Sequence, residues 1–403
     1  MGLHLVLFFA GEYKVTEDNY WYLLFVDDEA ENCELAAKYL DEKVVLEPDE
    51  KLKVDTEVDF NKALDRLEFG RFDFVVLDVR LGPHEEEREE EEGIKVLESI
   101  KARCFIPVIF YTGLPQKVRH LETPLIKVLE NTEGLPKVLS IVKEILSTRI
   151  PLVNRALLRH VKEVQRDYMW DFVARNWEKF GDTPDRTSLA YLLARRLAKS
   201  LDGPGIQQLA EELGDTTGVW CGEDNVHPMM YYVIPPISAE PTTGDIFSKT
   251  IDDQIEYTVL LTPSCDIDKG KAEWMLFARC SLLSEQPEYV ELAQNPGDLK
   301  AKGKIKSLLN DNRAGKQPER FKFLPGVIDL PDMVVDFQQL MAITLDEFNS
   351  LKEQEKLERI ASLDSPYAEA LVARFTRYFG RLGVPDINIG LIADRLKKQI
   401  GNV

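Results

Sequence analysis

Hydrophobic positions in the first third of the chain come in short runs, and each run stops at a polar residue able to do chemistry. Tyr22-Leu23-Leu24-Phe25-Val26 stops at the pair Asp27-Asp28, and Phe72-Asp73-Phe74-Val75-Val76-Leu77 stops at Asp78. Ile106-Pro107-Val108-Ile109-Phe110-Tyr111 stops at Thr112, and the shorter Pro124-Leu125-Ile126 stops at Lys127. Val54 to Val58 supplies one more short strand-like stretch. Between these runs the apolar residues shift to helical spacing: Glu29 to Leu40, Phe60 to Leu67 closed by Gly70, Gly93 to Lys101, and Leu135 to Leu146. Strand and helix patterns alternating in this way predict five βα units, an α/β doubly wound parallel sheet. Such sheets bind ligands beyond the carboxyl ends of their strands, which is where all of these polar residues fall.

Acidic pair, single Asp, hydroxyl and Lys, in that order at strand ends, resemble the receiver domain of a two-component response regulator, over about residues 21–148. The resemblance implies that Asp78 accepts a phosphoryl group from a partner histidine kinase. It implies that Asp27, Asp28, Asp78 and the backbone carbonyl of Arg80 hold Mg²⁺. It also implies that Thr112 donates to a phosphoryl oxygen, and that Lys127 pairs with the phosphate and the Asp78 carboxylate. The chemistry is consistent: transfer to a carboxylate needs a nucleophile, a divalent cation and a fixed positive charge, and Mg²⁺ takes oxygen ligands. Each residue alone has a plainer reading, since Asp at a strand end caps helices and turns, and Thr112-Gly113 is an ordinary turn. The sequence also departs from the receiver pattern. Val128 rather than Pro follows Lys127, Pro124 stands where an aromatic is common, and the stretch from His84 to Glu92 is unusually acidic. That stretch reads as a solvated loop or a charged lid.

Outside this region the organisation is different. Residues 1–20 form an extension. Residues 149–225 read as a helical linker, a dimerisation segment or part of the distal domain, broken by Asp202-Gly203-Pro204-Gly205. From 226 to 403, short strands separated by Pro and Gly and followed by helices predict an α+β regulatory or partner-binding domain with a small β-barrel or bent sheet. Gly244-Asp245-Ile246-Phe247 followed by Thr258 to Leu261 resembles the opening of PemK-like small barrels, although none of that family's catalytic positions can be placed here. Thr262-Pro263-Ser264-Cys265-Asp266 offers Cys265 as a nucleophile with His227 as base, against the plainer reading of a small Cys at a strand-to-turn junction. Arg374, Arg377 and Arg381 on a helix after Ser365-Pro366 offer an anion-binding face, against a solvated one. No helix-turn-helix, cyclase signature, histidine-kinase box or Walker A loop follows residue 150.

Composition narrows the function classes. The 403 residues carry a formal net charge of −20, which repels nucleic-acid phosphates and disfavours broad DNA binding. The five cysteines contain no CxxC pair and fit a reducing cytoplasm. The apolar run from Leu3 to Ala10 is too short to span a bilayer. A receiver joined to a domain that does not bind DNA resembles the receiver proteins of Detocs-like anti-phage phosphorelays. That resemblance implies a phosphate sink or signalling switch, with a second receiver or effector of the same operon as a partner, while the helices of 149–225, read as a dimerisation segment, offer a homodimer. Two rival expectations stand beside it. One is a nuclease-like effector enzyme in 226–403 released by phosphorylation, and the other is a pseudo-receiver that binds partners without taking phosphate.

Overall fold

The computed structural model describes residues 20–78, 97–180, 186–201, 221–222, 225–251, 254–313, 319–381 and 387–401, with 210, 213 and 315 as single residues. The chain divides into two compact units, 1–218 and 219–403.

The first unit is built on five parallel strands, β1 (Tyr20–Val26), β2 (Lys51–Glu57), β3 (Phe74–Leu77), β4 (Val108–Thr112) and β5 (Ile126–Glu130), in the order β2-β1-β3-β4-β5. The alternating runs predict a doubly wound sheet, and the structure gives it the flavodoxin-like order. The central strands are buried on both faces, which is why they read as unbroken apolar runs rather than alternations. Helix α1 (Ala30–Leu40) and α5 (Leu135–Ser147) cover one face. Their side packs Phe25, Leu40, Ile109, Val138, Val142 and Ile145 into one core. Helix α2 (Phe60–Phe69), the helical residues 97–103 (α3) and α4 (Pro115–Val118) cover the other, around Leu24, Leu64, Leu97, Val108 and Phe110.

Local chemistry sets the helix ends. The Asp59 carboxylate accepts from the Asn61 and Lys62 N–H groups and starts α2. Gly134, at φ 79°, turns the chain into α5 in a conformation that side chains with a Cβ resist.

Helix α6 (Ile150–Asp167) follows α5 almost directly, through Arg149 in the left-handed region. It docks on the amino-terminal end of the sheet. The Arg155 guanidinium reaches Asp73 at 2.5 and 3.2 Å, donates to the Tyr20 carbonyl at 2.9 Å, and lies 3.7 Å from the centroid of the Trp21 ring. The sequence leaves 149–225 open between linker, dimerisation element and distal domain. The structure gives α6 a largely shielded ion pair with the residue preceding β3, and α7 (Arg186–Ser200) packs on α6 through Ser200 and His160 at 2.9 Å.

The second unit holds a short β6 (Cys221–Gly222) and β7 (Asn225–Val226) pair and a seven-stranded antiparallel sheet. The sheet runs β12 (Phe321–Leu324), β13 (Met333–Thr344), β11 (Trp274–Leu282), β10 (Gln254–Leu260), β9 (Asp245–Ile251), β14 (Glu358–Leu363), β8 (Tyr232–Val233). A register shift at Ala278/Arg279 bends the β11–β13 pair, so the bent-sheet expectation matches this unit. Short helices α8 (Ser264–Asp268), α9 (Pro287–Gln294) and α10 (Leu299–Leu309) lie in the connections. Helix α11 (Leu345–Glu353) sends Phe348 against Phe247 and Phe277, with ring centroids 5.6 and 6.2 Å away. Helix α12 (Tyr367–Phe379) sends Leu371 and Tyr378 into the other core, with Phe337 and Val335. Helix α13 (Ile389–Ile400) ends the described chain.

Candidate acidic phosphoacceptor site

The sheet order reverses between β1 and β3, and that crevice is where an open α/β sheet takes its ligand. Backbone hydrogen bonds extend the ladder one step beyond the strands. The Asp27 N–H donates to the Glu57 carbonyl at 3.2 Å, and the Asp78 N–H to the Val26 carbonyl at 3.0 Å. The two loops are therefore held side by side, and carboxylate oxygens of Asp27, Asp28 and Asp78 all lie within 4.8 Å of one another. Among the described residues this is the one group of three or more potential metal-ligating side chains with that spacing. The structure thus brings Asp78 beside an adjacent acidic pair that lies fifty residues earlier in the sequence.

The three carboxylates differ in setting. Asp27 is buried, Asp78 half-buried and Asp28 exposed. Oδ1 of Asp27 accepts from the Glu29 N–H at 2.9 Å, and the Asn32 side-chain amide reaches both of its oxygens at 3.1 Å. Behind the loop, Cys33 donates from Sγ to the Asp27 carbonyl at 3.4 Å, and burial followed by the Asp27 charge pushes its thiol pKa up.

Three ionised carboxylates this close repel one another, and a hard divalent cation relieves the repulsion. An all-oxygen set suits Mg²⁺, which keeps several of its own waters. Asp27, Asp28 and Asp78 therefore fit such an ion as ligands. Arg80, whose carbonyl completes the expected set, and the acidic stretch from His84 to Glu92 lie outside the described residues.

Thr112 ends β4, fully buried, and its Oγ1 accepts from the Leu114 N–H at 3.2 Å. Its neighbour Tyr111 was not singled out by the sequence pattern. The Tyr111 hydroxyl donates to the Asn131 carbonyl at 2.8 Å. Burial, then the charges of Asp27 and Asp78, raise its pKa, which places Tyr111 within electrostatic reach of the cluster.

Lys127 is not where the resemblance puts it. The strand does not stop there: Val128 and Leu129 continue it to Glu130. In the β4–β5 register Lys127 pairs with Ile109, and Thr112 pairs with Glu130. Lys127 is thus three residues, about 10 Å, short of the carboxyl end of the strand. Its ammonium points to α5 and meets Glu144 Oε1 at 2.7 Å. The strand end beside Thr112 carries a carboxylate instead, and Glu130 is held in a capping box with Glu133. The signal available in the sequence was the unbroken apolar pair Val128-Leu129 after the Lys.

The candidates in the second unit do not assemble a site. Cys265 is exposed with Sγ 3.8 Å from Asp266 Oδ1, while His227 Nδ1 accepts from the Met229 N–H at 3.2 Å, so the two are not a hydrogen-bonded nucleophile and base. The arginines in and just after α12 (Arg374, Arg377 and Arg381) meet protein acceptors. Arg374 and Arg377 pair with Glu319 at 3.1 and 3.2 Å, Arg374 also donates to the Phe321 and Asp311 carbonyls, and Arg381 donates to the Tyr378 carbonyl. Asp245, fully buried, is satisfied by Thr242, Ser362 and Arg359.

No protein-family profile and no curated protein matches the sequence. Solved structures do match part of it. The response regulator protein TrrA from Thermotoga maritima, in complex with Mg²⁺-BeF, is 20% identical, covering 31% of this chain and 98% of its own, with a TM-score of 0.24. A CheY-like receiver domain protein from Methanospirillum hungatei JF-1 is 15% identical over 32% of this chain and 95% of its own, with a TM-score of 0.24. Full-length FixJ from B. japonicum is 16% identical over 48% of this chain and 97% of its own, with a TM-score of 0.26.

Proposed function

We propose that the first unit is a receiver that takes a phosphoryl group on Asp78. The observation that carries this reading is the convergence of Asp27, Asp28 and Asp78 at the β1/β3 switch point, with the Thr112 hydroxyl ending the next strand. In this reading an Asp78 oxygen attacks phosphorus, the bond from phosphorus to the donor atom breaks, and the leaving group departs with the electron pair. A bound Mg²⁺ supplies positive charge to the phosphoryl oxygens. Asp27 and Asp28 hold their side of the crevice, and the Thr112 hydroxyl faces the transferred group as a donor.

The donor we propose is a histidine kinase in the cytoplasm, and the role that of a phosphate sink or switch in a defence phosphorelay of the Detocs-like kind. The strand-end pattern and the joining of a receiver to a domain without a DNA-binding motif support it. Residues 226–403 act in this reading as a regulatory or partner-binding module. Among the described residues no helix is long and apolar enough to cross a membrane.

The decisive experiment treats purified protein with acetyl phosphate and Mg²⁺, then with a histidine kinase as donor, and reads intact mass next to Asp78→Asn. A phosphoryl adduct in the wild type that is absent in the variant supports the acceptor. No adduct from either donor sinks it.

A second reading has its own observation. Lys127 is engaged by Glu144, and Glu130 occupies the strand end level with Thr112, so the fixed cation that transfer chemistry favours is not supplied by β5. This favours a pseudo-receiver, a docking module whose acidic cluster never accepts phosphate. Function that survives Asp78→Asn supports that reading.

A further inference from the structure

We propose that Asn32 is the positioning residue of the acidic cluster: its amide fixes the Asp27 carboxylate so that one oxygen, Oδ2, keeps a lone pair for a divalent cation. This inference rests on the cluster being a cation site.

The argument starts from burial. Asp27 is only 4% exposed, so water cannot orient its carboxylate, and a buried charge needs protein donors. Asp28 is exposed and Asp78 half-buried, so these two can adjust to an ion, whereas Asp27 must be held ready for it. Its backbone is already fixed by the N–H to Glu57.

Asn32 lies in the first turn of α1, and its Nδ2 sits 3.1 Å from both Asp27 oxygens and 3.2 Å from Glu29 Oε2. All three neighbours are acceptors, so the amide must present its NH₂ and not its oxygen. Each carboxylate oxygen offers about two acceptor positions. On Oδ1 both are taken, by the Glu29 N–H and by Asn32, while on Oδ2 Asn32 is the only partner among the described residues. The open position of the buried ligand is therefore on Oδ2, and Asn32 holds the ring of contacts that leaves it open. The amide also brings partial positive charge to a place where three carboxylates meet, so the cluster stays assembled before an ion arrives.

Outer partners of metal-ligating groups cost about 10- to 100-fold in affinity when removed. The test uses Mn²⁺ as the probe, with the free ion counted by electron paramagnetic resonance on the full-length protein, and with Mg²⁺ as competitor. Expected are one Mg²⁺-displaceable Mn²⁺ in the wild type, affinity about 10- to 100-fold weaker in Asn32→Ala, and partial recovery in Asn32→Gln, which keeps the amide. Thermal unfolding without metal shows that each variant is folded. A folded Asn32→Ala that binds Mn²⁺ as tightly as the wild type overturns the inference and leaves the cation site standing. A wild type that binds no Mn²⁺ overturns the cation site itself, and the inference with it. If Asn32→Ala does not fold, the wild type decides: the Asn32 side-chain NH₂ resonances must shift across a Mg²⁺ titration, and their remaining fixed while Asp78 moves contradicts the role.

Discussion

Lys127 and Glu144 meet at 2.7 Å between the middle of β5 and α5, on the side of the sheet away from the α2–α4 layer. The contact ties the one lysine expected in the site to a helix. Its two side chains are 19% and 60% exposed, so the pair is partly solvated and of small energetic weight. Lys127→Ala is accordingly expected to lower stability by less than about 1 kcal/mol and to leave acetyl-phosphate labelling of Asp78 near wild type. Glu130→Lys places an ammonium at the strand end beside Thr112, and a single charge-assisted contact there is expected to speed labelling by about tenfold. Timed intact-mass spectra check both. Loss of labelling in Lys127→Ala would show that Lys127 leaves Glu144 and acts at Asp78.

The Arg155–Asp73 pair lies at the other end of the sheet, with side chains 11% and 9% exposed. Asp73 also accepts from the Tyr22 N–H at 2.8 Å, so removing the guanidinium leaves a buried carboxylate short of its partner. Arg155→Ala is expected to cost about 3–5 kcal/mol in the first unit and to free α6 from the strands. Urea unfolding followed by Trp fluorescence measures the cost. Mn²⁺ binding at the opposite end of the sheet is expected to be unchanged in the folded variant.

In the second unit Arg320 grips Asp336 with two bonds of 2.8 and 2.7 Å. Burial by itself raises the Asp336 carboxyl pKa, but the Arg320 hydrogen bonds, the Gln338 N–H, the Arg320 charge and Gln339 together hold it below the usual carboxylate range. A depressed folded-state pKa stabilises the protein above the unfolded value, and this is lost as pH falls through the folded value. The contribution is thus complete at neutral pH and fades below about pH 4. Arg320→Gln is expected to cost about 3 kcal/mol at pH 7, and the gap to wild type should narrow in acid. Urea midpoints at pH 7 and in the acid range test this. A constant gap is the contrary result.

Thiol labelling separates the cysteines. Burial pushes the Cys280 thiol far above its usual value, and burial also raises Cys33 and Cys104. Cys265 is exposed. Among these four cysteines of the native protein at mildly alkaline pH, Cys265 is expected to react first with a disulfide reagent, and Cys33 and Cys280 only on unfolding. Peptide mapping after timed labelling reads the order. Cys265→Ser is expected to leave Asp78 labelling unchanged.

What the sequence determined by itself is the parallel sheet and its acidic edge. Strands buried on both faces read as continuous apolar runs, so Leu23–Val26, Phe74–Leu77 and Val108–Tyr111 announce themselves, and the polar residues that follow each run fall at the carboxyl edge of the sheet. Asp27, Asp28, Asp78 and Thr112 were legible for that reason. Tertiary structure alone decided the rest. Which residue of β5 lies level with Thr112 depends on strand register, a long-range pairing that a local run cannot report, and it replaced Lys127 with Glu130. Asn32 and Tyr111 gained their places because the fold set Asn32 beside a buried carboxylate and Tyr111 beside the crevice. Arg155 found Asp73 across a separation of 82 residues. Cys265, His227 and the α12 arginines looked chemical in the sequence, but a site needs convergence, and folding gave the arginines other partners and left the Cys and His unpaired with each other.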